Sequence, residues 1–115
     1  MNTHIVRTLV LLFLAATALH AQVPQLINYQ GRVSAGGVNL DSSGQFKFAL
    51  VNADGTVSYW SNAGTSIAGS EPAAAVTITV NDGQYSVLLG DTSLPNMAAI
   101  PPGVLDHADV FVRVW

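Results

Sequence analysis

From residue 22 onward, the apolar side chains of this chain recur at every second position. Ile27, Tyr29, Gly31 and Val33 alternate with Asn28, Gln30 and Arg32. Phe46, Phe48 and Leu50 alternate with Gln45, Lys47 and Ala49, and Val76, Ile78 and Val80 with Thr77 and Thr79. Tyr85, Val87 and Leu89 alternate with Gln84, Ser86 and Leu88. A period of two places one face of an extended segment on a core and the other in water, which suits antiparallel sheets. The runs are rich in β-branched and aromatic residues, and none makes an amphipathic helix.

Turn chemistry falls between the runs. Ala35-Gly36-Gly37, Asp41-Ser42-Ser43-Gly44 and Asn52-Ala53-Asp54-Gly55 supply residues that tolerate positive φ or form Asx turns. Asn81-Asp82-Gly83 between Val76–Val80 and Gln84–Leu89 predicts a hairpin. A second hairpin is expected to join Phe46–Val51 to Val57–Trp60. The small, polar and Gly-rich stretch from Ser61 to Ala74 has the composition of a mobile loop. Asp91 to Asp109 holds Pro95, Pro101 and Pro102 and reads as a long connection between sheets, with one helical turn around Gly103–His107. Val110 to Trp115 is again strand-like. The pattern therefore predicts an all-β chain, an antiparallel β-sandwich of about seven short strands.

The N-terminus has the three parts of a secretory leader. Arg7 charges a short first region, Leu9 to Ala16 form an apolar block running on to Leu19, and small residues follow. Cleavage after Ala21, at the end of the apolar block, starts the mature chain at Gln22. Ala16-Thr17-Ala18 fits a cut after Ala18 as well. The apolar run is about a dozen residues, short of the roughly 20 that span a bilayer. Residues 1–21 are thus expected to be a cleaved signal peptide, 22–115 a single domain without a membrane span, and the destination the cell surface or the medium. Two readings of the end at Trp115 stay open: a last strand that closes the domain, or a truncated chain. In either, Val110, Val112 and Val114 face the core, while Phe111 and Trp115 point outward.

No cysteine is present, so neither an acylated cysteine anchor nor disulfide staples are available. Beyond the leader, three basic residues (Arg32, Lys47 and Arg113) face seven acids, with no basic cluster to track a phosphate backbone. Nucleic acid is not an expected partner.

The inventory for catalysis is thin. His4 and His20 lie in the expected leader and leave with it, leaving His107 next to Asp106 and Asp109, a group that reads as a solvated, Asp-capped loop. One His without Cys gives too few ligands for zinc, and no EF-hand loop appears. No Gly-x-Ser-x-Gly elbow occurs, and Glu71 is the sole Glu. A non-catalytic chain without cofactor or metal is expected. Exposed aromatics are the remaining binding chemistry: Tyr59, Trp60, Phe111 and Trp115 are candidate ligand or assembly contacts, set against ordinary core packing.

Gln25 to Val33, Phe46 to Val51, Tyr59-Trp60-Ser61 and Asn81 to Gly90, in this order, resemble the N-terminal domain of a group of large exported bacterial proteins. Members of that group continue into tail-fibre-like, collagen-like or repeat regions, some ending in an endosialidase-type chaperone domain. The resemblance covers nearly all of residues 22–115, rests on structural motifs, and carries no catalytic residues. It implies a head or spacer module of a surface protein, with a protein partner or self-assembly. The alternative is a carbohydrate-binding module that stacks its aromatics on a glycan.

Overall fold

The computed structural model describes residues 25–115; the leader expected over 1–21 lies outside the described residues. Nine short strands follow one another: β1 (Ile27–Arg32), β2 (Ser34–Ala35), β3 (Val38–Asn39), β4 (Ser43–Phe46), β5 (Phe48–Val51), β6 (Ser58–Ser61), β7 (Val76–Thr79), β8 (Gln84–Leu89) and β9 (Phe111–Val114). No α-helix occurs among the described residues, and a single 3-10 turn covers Val104–Asp106, within the segment expected to be helical. The mostly β reading holds. The strands number nine rather than about seven because β2 and β3 form a small two-residue ladder and Lys47 separates β4 from β5.

Every pairing is antiparallel, in four small sheets: β1 with β8, β2 with β3, β4 with β7, and β6-β5-β9. The hairpin expected across residues 52–55 forms, with Leu50 opposite Trp60 and a register shift between Leu50 and Val51. Asn52 fixes its turn by accepting from the N–H groups of Thr56 and Val57. The connection from Asp91 to Asp109 does lead from one sheet to another, since it joins β8 to β9.

The hairpin expected around Asn81-Asp82-Gly83 needs correction. Its turn is present: Asn81 and Gln84 exchange backbone hydrogen bonds of 2.9 Å in each direction. Asp82 and Gly83 both have positive φ, as a two-residue hairpin turn requires. The strands do not zip beyond it; β7 ladders with β4 and β8 with β1. β4 takes the outer edge of β7 and β1 the outer edge of β8, and splaying of the two facing edges lets both buried faces reach one core. That core holds Phe46, Phe48, Leu50, Trp60, Val76, Ile78, Val80, Tyr85, Val87 and Leu89. Phe46 and Tyr85 meet with ring centroids 4.4 Å apart, and Tyr29 packs edge-on against Phe48.

The segment 61–74, with the composition of a mobile loop, is tied down along its length. Ser66 N–H donates to Ser61 Oγ, Gly69 N–H to Ser58 Oγ, and Ala73 N–H to Thr65 Oγ1. Small polar residues here supply hydrogen bonds rather than freedom. The segment covers the second face of β5: Arg113, opposite Ala49, donates to the Gly69 carbonyl, and Lys47 pairs with Glu71 at 3.0 Å. All four residues of β5 are therefore buried.

Candidate functional site

The splayed pair β7 and β8 forms the most distinctive surface of the fold. In an antiparallel ladder, alternate residues direct their backbone N–H and C=O to opposite edges. Val33 N–H donates to the Gly83 carbonyl at 2.8 Å, which sets the phase of the β1–β8 ladder. Tyr85, Val87 and Leu89 then turn their backbone groups toward β1, and Ser86 and Leu88 turn theirs away. Val80 N–H donates to the Ser42 carbonyl at 2.8 Å, so Ile78 bonds toward β4 while Thr77 and Thr79 face the other way. Thr79 and Ser86, then Thr77 and Leu88, are the next hydrogen-bonding pairs a zipped hairpin would contain. No ladder joins them among the described residues.

Between these two open edges lies a continuous seam. Near the turn it is a groove of about 770 Å³ bordered by Arg32, Thr79, Gln84 and Ser86. Toward the far end it continues as a groove of about 470 Å³ bordered by Thr77, Leu88, Asp91 and Leu94. Ile78 contributes to both stretches, Tyr85 to the first and Val87 to the second. These side chains belong to the core, whereas Thr77, Thr79, Ser86 and Leu88 are exposed. The seam thus has an apolar floor and a largely polar rim broken by Leu88. No strand pairs with Thr77, Thr79 or Ser86 across it, while the Leu88 carbonyl accepts from Asp91 N–H at 3.3 Å. Arg32 stands near one end and Asp91 near the other, and neither joins an ion pair among the described residues. Asp91 uses Oδ1 to accept from Ser93. Burial pushes the Tyr85 hydroxyl above the ordinary tyrosine pKa, with Tyr29 beside it adding to the shift.

The aromatic residues singled out from the sequence are placed differently. Trp60 is a core residue, 6% exposed, and its indole N–H donates to the carbonyls of Ala98 and Ala99. Its ring is not offered as a broad surface, which corrects the reading of Trp60 as an exposed contact. Tyr59 is half-buried and stacks on His107 at 3.9 Å between centroids. Desolvation, with Asp109 and Asp54 nearby, holds its hydroxyl above the usual pKa. Phe111 is 53% exposed. Trp115 is half-buried and carries the Arg113 guanidinium over its ring at 5.3 Å. Val112 and Val114 pack against the core as expected. No stacked pair forms among Tyr59, Trp60, Phe111 and Trp115; the aromatic pairs of the described residues lie in the core or at His107.

Asp106, His107 and Asp109 do not converge. Asp109 Oδ2 accepts from the Ala53 N–H, capping the β5–β6 turn, while His107 lies against Tyr59. Among the described residues no three His, Cys, Asp or Glu side chains gather as metal ligands.

Sequence reasoning missed the seam because local alternation reads β7 and β8 as each other's partners. It also missed Asn62, a lone Asn in a Gly-rich stretch that reads as a turn former. Asn62 is buried and accepts from Phe48 N–H through Oδ1 while Nδ2 donates to the carbonyls of Ala74 and Asn96.

The architecture defines a small, mostly β module built from short antiparallel sheets. Residues 28–115 match the family described as domain of unknown function (DUF8740), and the chain belongs to that family. Neither a curated protein nor a solved structure gives a significant match.

Proposed function

We propose that the chain is exported by the general secretory route and acts outside the cytoplasm as a non-catalytic β-sandwich module. Its role is structural or adhesive: a head or spacer that assembles with protein partners as part of a larger fibre-like surface protein. The apolar block at Leu9–Ala16 with its small-residue cleavage sites supports export. The resemblance of Gln25–Val33, Phe46–Val51 and Asn81–Gly90 to the first domain of large exported bacterial proteins supports the surface role.

The observation that carries the assembly reading is the double-edged seam between β7 and β8. Open strand edges template pairing with another chain, and folded proteins normally shield them. Here two such edges line one groove and keep Thr77, Thr79, Ser86 and Leu88 accessible. A surface of that kind suits protein contact better than small-molecule chemistry.

The test is to produce the full chain in a bacterial host, fractionate the cells and sequence the N-terminus of the recovered protein. A mature chain starting at Gln22 or Leu19 in the periplasm, at the surface or in the medium is expected. An uncleaved chain retained in the cytoplasm refutes export. Cross-linking of the exported chain to a neighbouring protein supports assembly; an exported chain that forms no such adduct refutes it.

A further inference from the structure

We infer that the seam between β7 and β8 is an acceptor slot for an extended peptide strand from a partner protein. The segment it takes has apolar side chains at every second position, an acidic residue at the turn end and a basic residue at the far end. The inference deepens the assembly reading above and rests on it.

Three features point to a strand rather than a helix or a compact ligand. Both walls present main-chain groups at the strand repeat: donors and acceptors from Thr77 and Thr79 on one side, and on the other both groups of Ser86 and the N–H of Leu88, whose carbonyl is held by Asp91 N–H. An extended peptide satisfies such groups with its own backbone, whereas a helix has already spent its amides internally. The floor and rim also alternate. An inserted strand directs every second side chain onto Ile78, Tyr85 and Val87 and the others outward, level with Thr79 and Ser86. From Thr77 to Thr79 the β7 wall runs about 7 Å at the usual strand rise, room for two or three inserted residues before the bonded pair Asn81 and Gln84 closes the turn end.

Charge sets the remaining chemistry. Arg32 borders the groove at the Asn81–Gln84 end and Asp91 at the Leu94 end. A segment with its acidic residue near Arg32 and its basic residue near Asp91 complements both. The partner is therefore a polypeptide, not a glycan, because sugars cannot continue a backbone ladder on two facing edges.

The probe is a pair of blocked peptides, Glu-Val-Thr-Val-Thr-Val-Lys and its reverse, added to the full chain and followed by amide hydrogen exchange in NMR. One of the two is expected to slow exchange at Thr77, Thr79, Ser86 and Leu88 by about tenfold, the effect of one new hydrogen bond per amide. N-methylation at two successive central peptide residues, one facing each wall, is expected to remove that protection. Thr79→Pro deletes a donor that faces the seam while leaving the β4 ladder intact, and is expected to weaken binding by about tenfold. The N-methylated peptide gives the same information should that variant fold poorly. Unchanged exchange with both peptides, or equal binding of the N-methylated form, overturns the inference.

The same four amides already protected in a free monomer would mean that this chain fills its own seam. Protection accompanied by a dimer in light scattering would mean that a second copy does. Each outcome overturns the partner-strand assignment. A chain that is exported and cross-links to neighbours, yet protects no seam amide with either peptide, refutes the strand slot and leaves the assembly reading standing.

Discussion

Replacing Asn62 with Ala tests whether one side chain holds three separate segments together. Its Oδ1 accepts from Phe48 N–H at 2.9 Å, and its Nδ2 donates to the carbonyls of Ala74 at 2.9 Å and Asn96 at 3.0 Å. Phe48 is fully buried, so its orphaned N–H would lose a partner and find no water, a cost of about 2 kcal/mol. Ala74 and Asn96 lie nearer the surface, and their carbonyls regain water at a loss of about 0.5–1 kcal/mol each. The total is about 3–4 kcal/mol, a large share of the 5–15 kcal/mol that stabilises an ordinary domain.

Urea unfolding followed by the fluorescence of Trp60 is the assay, and the midpoint is expected to fall by about 2–3 M at the slope of a small domain. Asn62→Asp sharpens the test. It keeps the acceptor for Phe48 but turns a carboxylate oxygen toward two carbonyls. The folded state then holds that carboxyl above its unfolded pKa of about 3.9. The deficit is therefore smallest below about pH 4 and grows as pH rises through the raised folded value. A loss under about 1 kcal/mol for Asn62→Ala, or a pH-independent deficit for Asn62→Asp, would show that Asn62 is not the latch.

Gly31→Ala places a Cβ within 2.5 Å of the Tyr85 hydroxyl, and the displaced ring is expected to cost about 1–3 kcal/mol in thermal unfolding. Because burial raises the folded pKa of Tyr85, its contribution is complete below about pH 10 and lost as pH climbs through the raised value. Tyr85→Phe should flatten the alkaline limb of a stability–pH curve in part, with Tyr59 accounting for some of what remains. Glu71→Gln breaks a pair whose side chains are 25% and 54% exposed, and urea titration is expected to show a loss no larger than about 1 kcal/mol.

Alternation made β1, β7, β8 and β9 legible, because each sets one apolar stripe against the core and a side chain's face follows from its parity, whereas β5 is buried on both faces. The 52–55 hairpin was legible for a local reason: its turn chemistry and both strands lie within one short stretch. The β7–β8 outcome was not, since the turn signal at Asn81–Gly83 is correct while the partners of both strands lie far away in sequence. Nothing in Val76–Leu89 records that β7 and β8 join different sheets through their outer edges while their facing edges splay apart. The seam follows from that splaying, so its four backbone positions were equally hidden. Trp60 illustrates a different limit. Composition marks it as a large aromatic suited to either role, and its burial is decided by the carbonyls of Ala98 and Ala99, which a distant connection brings to its indole N–H.

The pairing of β1 with β8 also bears on how the chain acquires its shape. Ile27 meets Leu89 and Arg32 meets Gln84, so the first long strand has no ladder until nearly all of the intervening chain has been made. Such remote closure is slow, because the entropy of bringing distant segments together is lost before the contacts form. The 52–55 hairpin can assemble locally and early, whereas Ile27–Arg32 waits as a bare apolar stripe. During synthesis this chain therefore passes through an interval in which its N-terminal strand has no ladder to join, and the arrival of Gln84–Leu89 ends it.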